Sequence, residues 1–194
     1  MKKALFVVLL ILGIFLIGSF SELHFKEINA VPGDVEMIRS SDIGDYAKAV
    51  LFEDKIHKTF GVAEIEKKFG LFYRYDGGTW GYTLEEGKPF QSSGIGDDDD
   101  FLVAIKTAKN SNIEYIALGN HMEEITPLDK YELTLEDVRE NIGEYYLQEV
   151  TDNYVLFVTD EYSEDTWTIR AFDKAGKLVA DELFGGDPRY IDWE

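Results

Sequence analysis

The 194-residue chain contains no cysteine and only three histidines, and its 19 lysines and arginines are outnumbered by 38 aspartates and glutamates. Without thiols there can be no disulfide, no thiolate nucleophile, no thiolate metal site and no lipid-modified cysteine anchor, so an exported domain of this chain must be held by its core alone. The shortage of cations gives a formal net charge of −19. A field of that sign repels nucleic acid and anionic lipid and suits a cationic partner or metal ions. Neither a Gly-x-Ser-x-Gly elbow, nor a phosphate-cradling Gly-x-x-x-x-Gly-Lys-Ser/Thr loop, nor a Gly-x-Gly-x-x-Gly turn occurs. The commonest nucleophilic and nucleotide-binding chemistries therefore have no local signature here.

What is present begins with Lys2 and Lys3 followed by an uncharged apolar run over residues 4–20. At 1.5 Å per helical residue such a run covers about 26 Å, long for a signal peptide and just sufficient for a hydrocarbon core. Residues 1–21 are expected to be an uncleaved single-pass membrane anchor, a transmembrane helix with its N-terminus cytoplasmic and the C-terminal domain extracytoplasmic. The alternative is a signal peptide cut near Ser21, which releases a secreted protein. Residues 22–34 then read as a juxtamembrane linker and 35–194 as one acidic extracytoplasmic domain. Removing Lys2 and Lys3 leaves −21 on the exported part.

Within that domain Ile43, Tyr46, Ala47, Val50 and Leu51 fall at the spacing of a buried helix face behind the cap-forming Ser40, Ser41 and Asp42. Further helices are expected over residues 62–69, 98–109 and 134–142, the last opened by Thr134 and Asp137 as a capping box. Aromatic alternation around Asp76-Gly77-Gly78 predicts a hairpin between residues 71–75 and 79–84. Residues 113–118 predict a buried strand, and 145–150, 154–159, 166–172 and 178–184 predict four successive strands joined by short loops, hence antiparallel neighbours. The expected fold class is α+β: a mostly antiparallel sheet with a C-terminal four-strand meander, covered by a few short helices. Trp80, Tyr82 and Trp167 sit at strand spacing, where aromatics belong to a core more often than to a ligand platform.

The segment that invites a chemical reading is Asp97-Asp98-Asp99-Asp100 with Gly119-Asn120-His121 beyond it. It is not an EF-hand: counted from Asp97, the sixth and twelfth positions, which need glycine and glutamate, hold Leu102 and Ala108. Gly96-Asp97 with Asp100, a following helix, a buried strand and Gly119-Asn120-His121 together resemble the central part of calcineurin-like metallophosphoesterases. The resemblance implies Asp97, Asp100 and Asn120 as ligands of divalent cations and His121 as the group that protonates the leaving alkoxide. The chain departs from that pattern in three ways. Met122 stands where the family has an acid, no Asp-x-His precedes the segment, and no histidine follows His121.

The alternative for the same residues is an acidic cap on a helix starting near Asp98, with Lys106 and Lys109 in its last turns. The expected function is a non-catalytic, membrane-tethered or exported binding or sensing domain of the cell envelope, without cofactor, whose acidic surface faces a cationic protein or peptide and not nucleic acid. A degenerate metal-dependent phosphoesterase and an immunity or inhibitor protein for a cationic partner are the alternatives.

Overall fold

The computed structural model describes residues 22–96, 99–126 and 129–193. Their regular structure is mostly β. A four-residue helix α1 (Glu27–Ala30) precedes β1 (Val35–Ile43), β2 (Ala47–Asp54), β3 (Phe60–Lys68) and β4 (Phe72–Gly78). There follow β5 (Phe90–Gly96), β6 (Phe101–Thr107) and β7 (Tyr115–Gly119), then the six-residue helix α2 (Leu135–Glu140). The chain continues through β8 (Tyr145–Glu149), β9 (Tyr154–Thr159), β10 (Ile169–Phe172), β11 (Leu178–Glu182) and β12 (Arg189–Tyr190).

These strands pair antiparallel into three sheets: A in the order β1-β2-β3-β4, B in the order β5-β6-β9, and C in the order β12-β11-β10-β7-β8. The expected α+β architecture is thus corrected to a β-dominated one. The expected four-strand meander is also replaced, because β9 leaves its sequence neighbours to pair with β6, while β7 takes its place between β8 and β10. Among the described residues no helix is long and apolar enough to cross a membrane, which removes the transmembrane helix from the described architecture. Residues 1–21, on which that expectation falls, lie outside the described residues.

Sheet B is the middle of a stack. From β6 and β9, Phe101, Val103, Ile105, Val155 and Phe157 pack on Ile116, Leu118, Ile169 and Ala171 of sheet C. The alternate residues Leu102, Ala104 and Leu156 point the other way onto Ala49, Leu51, Phe60 and Val62 of sheet A. Leu102 and Phe157, each 1% exposed on opposite faces, contribute on the order of 2 kcal/mol apiece by burial, so both interfaces of sheet B carry the fold. Ser92 Oγ donates to Glu182 across B and C at 2.7 Å. Tyr154 Oη donates to Glu53 across B and A at 2.6 Å.

The outer faces are covered too. Ala30 and Val31 of the N-terminal segment close Val50, Phe52, Ala63 and Ile65 of sheet A, and His24 pairs with Tyr73 at the β4 edge. On sheet C, Leu135 and Val138 of α2 and Ile191 of the C-terminal tail cover Ala117, Phe172 and Leu178. The capping box of α2 forms, with Thr134 Oγ1 accepting from the Asp137 amide and the Asp137 carboxylate accepting from the Thr134 amide.

Three expected helices are strands for one physical reason. A strand buried on both faces is apolar at successive positions and loses the period-two signature of a half-buried one. Residues 101–105 of β6 are all buried, as are residues 49–52 of β2. The segment after the aspartates is therefore β6 and not a capped helix, and residues 62–69 fall largely within β3. The helical spacing of Ile43 and Ala47 is a hairpin pair, since the two residues face each other across the β1–β2 turn. The hairpin expected between residues 71–75 and 79–84 does not form: β4 pairs with β3, and Tyr82 pairs with Phe60.

Candidate functional site

Turns from all three sheets meet at one end of the stack. Gly96 closes on Phe101 in the β5–β6 hairpin, with φ at +147° and so little room that a Cβ there would lie 2.0 Å from the Asp100 carbonyl oxygen. Only glycine fits. The Asp100 carboxylate at the end of this turn accepts a hydrogen bond from the Tyr46 hydroxyl in the β1–β2 turn of sheet A. That bond, with burial and the neighbouring carboxylates acting in the same direction, pushes the Tyr46 hydroxyl up to about 12. Asp97 and Asp98 lie outside the described residues.

The loop over residues 160–168 joins β9 to β10 beside this hairpin. Tyr162 and Trp167 set their rings edge-on to Phe101 at 4.9 and 5.6 Å. The Thr159 hydroxyl donates to the Phe101 carbonyl at 3.1 Å, the Ser163 amide donates to Thr166 Oγ1 at 2.8 Å, and Thr168 Oγ1 donates to the Glu164 carbonyl at 2.6 Å. With its backbone held by hydroxyls in this way, the loop presents Asp160, Glu161, Tyr162, Glu164 and Asp165 outward. Tyr146 at the start of β8 donates to Asp160 at 2.9 Å.

The Gly119-Asn120-His121 turn ends β7 at the same place. Gly119 has φ +127° and a Cβ there would lie 2.2 Å from the Glu144 carbonyl, while Asn120 takes the left-handed φ of +50°, a conformation asparagine tolerates. The fully buried Arg170 of β10 holds this turn. Its guanidinium donates to the Gly119 carbonyl, to the Asn120 carbonyl at 2.8 Å and to the Tyr131 hydroxyl at 3.1 Å. The Asn120 side chain donates to Glu144 at 2.8 Å. The His121 amide donates to Asp165, and its ring lies 3.4 Å from Thr168 Oγ1 and 3.8 Å from Glu164 Oε2.

Of the residues singled out in the sequence, Asp100, Asn120 and His121 thus share one end of the molecule but not one site. Asp100 is held towards sheet A by Tyr46, and Asn120 is held in sheet C by Glu144, with sheet B between those layers. Among the described residues no group of three histidine, aspartate or glutamate side chains is gathered as a metal ion would need. The helix that the phosphoesterase resemblance implies between its two motifs is β6. His121 has a hydroxyl neighbour in Thr168, but that hydroxyl is fully buried and committed to the Glu164 carbonyl, so it is not available as a nucleophile.

What the end does present is charge with aromatic rings. Residues 44–46, 99–100, 119–126, 143–146 and 160–168 contain no lysine or arginine, and Tyr46, Tyr146 and Tyr162 are 54%, 41% and 46% exposed among their carboxylates. The sequence marked the aspartates and the Gly-Asn-His, but not Arg170, whose one signal is a lone charge inside the apolar run Ile169-Arg170-Ala171-Phe172. The candidate aromatics lie elsewhere or inward: Trp80 packs on Phe52 at 4.5 Å and Tyr82 on Phe60 at 6.2 Å.

A groove of about 840 Å³ opens on the outer face of sheet C between α2 and the β10–β11 turn. Arg139 lies over the Tyr115 ring and Lys177 over the Trp193 ring there, at 5.3 and 5.5 Å. Glu132, Glu136 and Glu140 line the same groove, so it favours neither sign of ligand. No protein-family model, no curated protein and no solved structure matches the chain.

Proposed function

We propose that the protein is an exported, membrane-tethered, non-catalytic binding domain that takes a cationic protein or peptide at its acidic, tyrosine-bearing end. The observation that carries this reading is the convergence of five lysine- and arginine-free segments on one end, with three exposed tyrosines among the carboxylates, while Lys67 and Lys68 of the adjoining β3–β4 turn are paired with Asp42 and Glu66. Carboxylates attract and orient a lysine- or arginine-rich partner over a distance set by ionic strength. Tyrosine rings add cation–π and apolar contact at close range, and tyrosine is enriched in interfaces. Two of the three rings are already fixed by hydroxyl bonds, Tyr46 to Asp100 and Tyr146 to Asp160, which lowers the ordering cost of binding.

The test is binding of the detergent-solubilised full chain to an oligolysine peptide. Three exposed charges at about 0.5 kcal/mol each amount to roughly a tenfold change in affinity. The combined Asp160→Asn, Glu161→Gln and Glu164→Gln variant is expected to lose that much. A control that neutralises Glu85, Glu86 and Asp152, exposed acids beside the Phe60, Phe90 and Tyr154 strand ends opposite to that end, retains the affinity. Equal losses in both variants would reduce the effect to net charge and sink the site.

A further inference from the structure

We infer that the β3–β4 turn and Phe25 form a second, direct contact with the lipid bilayer, so that the domain lies against the membrane instead of hanging from it. The turn is Lys68-Phe69-Gly70-Leu71, closed by the Leu71 amide donating to the Lys68 carbonyl at 3.3 Å. Phe69 and Gly70 both have positive φ, +55° and +70°. At Phe69 that is the left-handed region, which favours asparagine, aspartate or glycine and penalises a bulky side chain.

A phenylalanine stands there nevertheless, 80% exposed, with Leu71 at 69% and Phe25 at 76%. Phe25 is locked beside the turn by its ring contact with Phe72 at 4.7 Å and by the pairing of His24 with Tyr73. Three large apolar side chains held out on a rigid corner, one of them against backbone preference, form a surface for an apolar phase.

The occupant follows from the chain itself. Phe20, the last residue of the apolar run, precedes Phe25 by five residues. Five extended residues span at most about 18 Å. If residues 4–20 lie in a bilayer, this corner cannot be further than that from its surface. Of the neighbouring lysines, Lys67 is paired with Asp42 at 2.7 Å and Lys68 with Glu66 at 2.8 Å, and Lys26 is exposed beside Phe25. One lysine on a domain of this net negative charge leaves the contact to the apolar side chains, and anionic headgroups are not required. This inference rests on the membrane-tethered reading above.

The absence of cysteine makes a clean test. The full chain carrying Leu71→Cys, or Ile56→Cys as control, is labelled with an environment-sensitive fluorophore and reconstituted in phosphatidylcholine vesicles with and without a spin-labelled lipid quencher. Ile56 is 71% exposed at the opposite end of the same sheet, one nine-residue strand or about 30 Å away. The expected result is a blue shift and loss of emission by lipid quenching at position 71, with neither at position 56.

Co-sedimentation with vesicles but equal quenching at the two positions overturns the corner contact and leaves the tether standing. A shift at position 71 without quenching assigns the corner to protein, for instance a second copy, and also overturns it. Failure to co-sediment overturns the tether and this contact together.

Discussion

Glu182 shows how much one residue can weigh in this stack. Its carboxyl lies between sheets B and C, 6% exposed, with the Ser92 hydroxyl donating to it. Burial pushes its pKa from 4.5 up to about 7, more than the Ser92 bond and the distant Lys88 charge pull it down, with Asp187 adding to the rise. Because the folded pKa is raised, the native state binds more protons than the unfolded chain between about 4.5 and 7. Its contribution to stability is therefore full at low pH, falls as pH rises through that window, and is flat above it. A shift of this size corresponds to roughly 3 kcal/mol at most.

Other acids run against this trend. Asp54 and Asp137 are held below the usual carboxylate range by hydrogen bonds from His57 and Thr134, and Asp42 and Glu66 by hydrogen bonds from Lys67 and Lys68 respectively. The comparison that isolates Glu182 is Glu182→Gln, which can keep the Ser92 bond without a charge. Denaturant melts of this variant are expected to lose the decline between pH 5 and 7 and to gain about 2 kcal/mol over the parent at pH 8. An unchanged profile would mean that water reaches the carboxylate.

At the scale of elements, the turn chemistry and the burial pattern pull in opposite directions. The β3–β4 turn places Phe69 and Gly70 both at positive φ, and Phe69 occupies a position that asparagine suits better. Phe69→Asn is expected to raise the stability of the fold by about 0.5–1 kcal/mol, read as a shift in the urea midpoint at constant slope, while weakening lipid quenching at position 71. A destabilised variant would show instead that the ring contributes to packing.

The same scale decides what could be read from the sequence. The capping box of α2 and the strand around residues 115–119 were legible, because a capping pair and a short apolar run before a glycine are local signals. The strands β2, β3 and β6 were not legible as strands. Each is buried on two faces by layers that come from distant parts of the chain, so the local period that identifies a strand is absent. The exchange of β9 into sheet B was equally hidden, since it follows from Tyr154, Leu156 and Phe157 packing between layers and not from any loop length. The candidate site was half legible. The aspartates and the Gly-Asn-His stood out as motifs, but their arrangement around the 160–168 loop and the buried Arg170 depends on the stacking of three sheets.

At the scale of the whole molecule, charge works on the fold and on binding with opposite sign. The excess of 19 negative charges sits on a body with a radius of gyration of about 16 Å. At 0.01 M salt the screening length is about 30 Å and every carboxylate feels every other. At 0.15 M it is about 8 Å and only neighbours interact. The opposing attractions are isolated pairs, most with at least one exposed partner, such as Lys55 with Asp34 and Lys67 with Asp42, and pairs of that kind are worth at most about 1 kcal/mol each. Repulsion therefore dominates the salt response. Raising ionic strength from 0.01 to 0.15 M is expected to raise the melting temperature by a few degrees. The same change weakens oligolysine binding at the acidic end, because the screening that relieves self-repulsion also removes the attraction to a cation. Calorimetric melts and binding isotherms over one salt series check both signs at once. Stability that falls with salt would show that the ion pairs outweigh the net charge. Binding that is indifferent to salt would move recognition away from the carboxylates and onto Tyr46, Tyr146 and Tyr162.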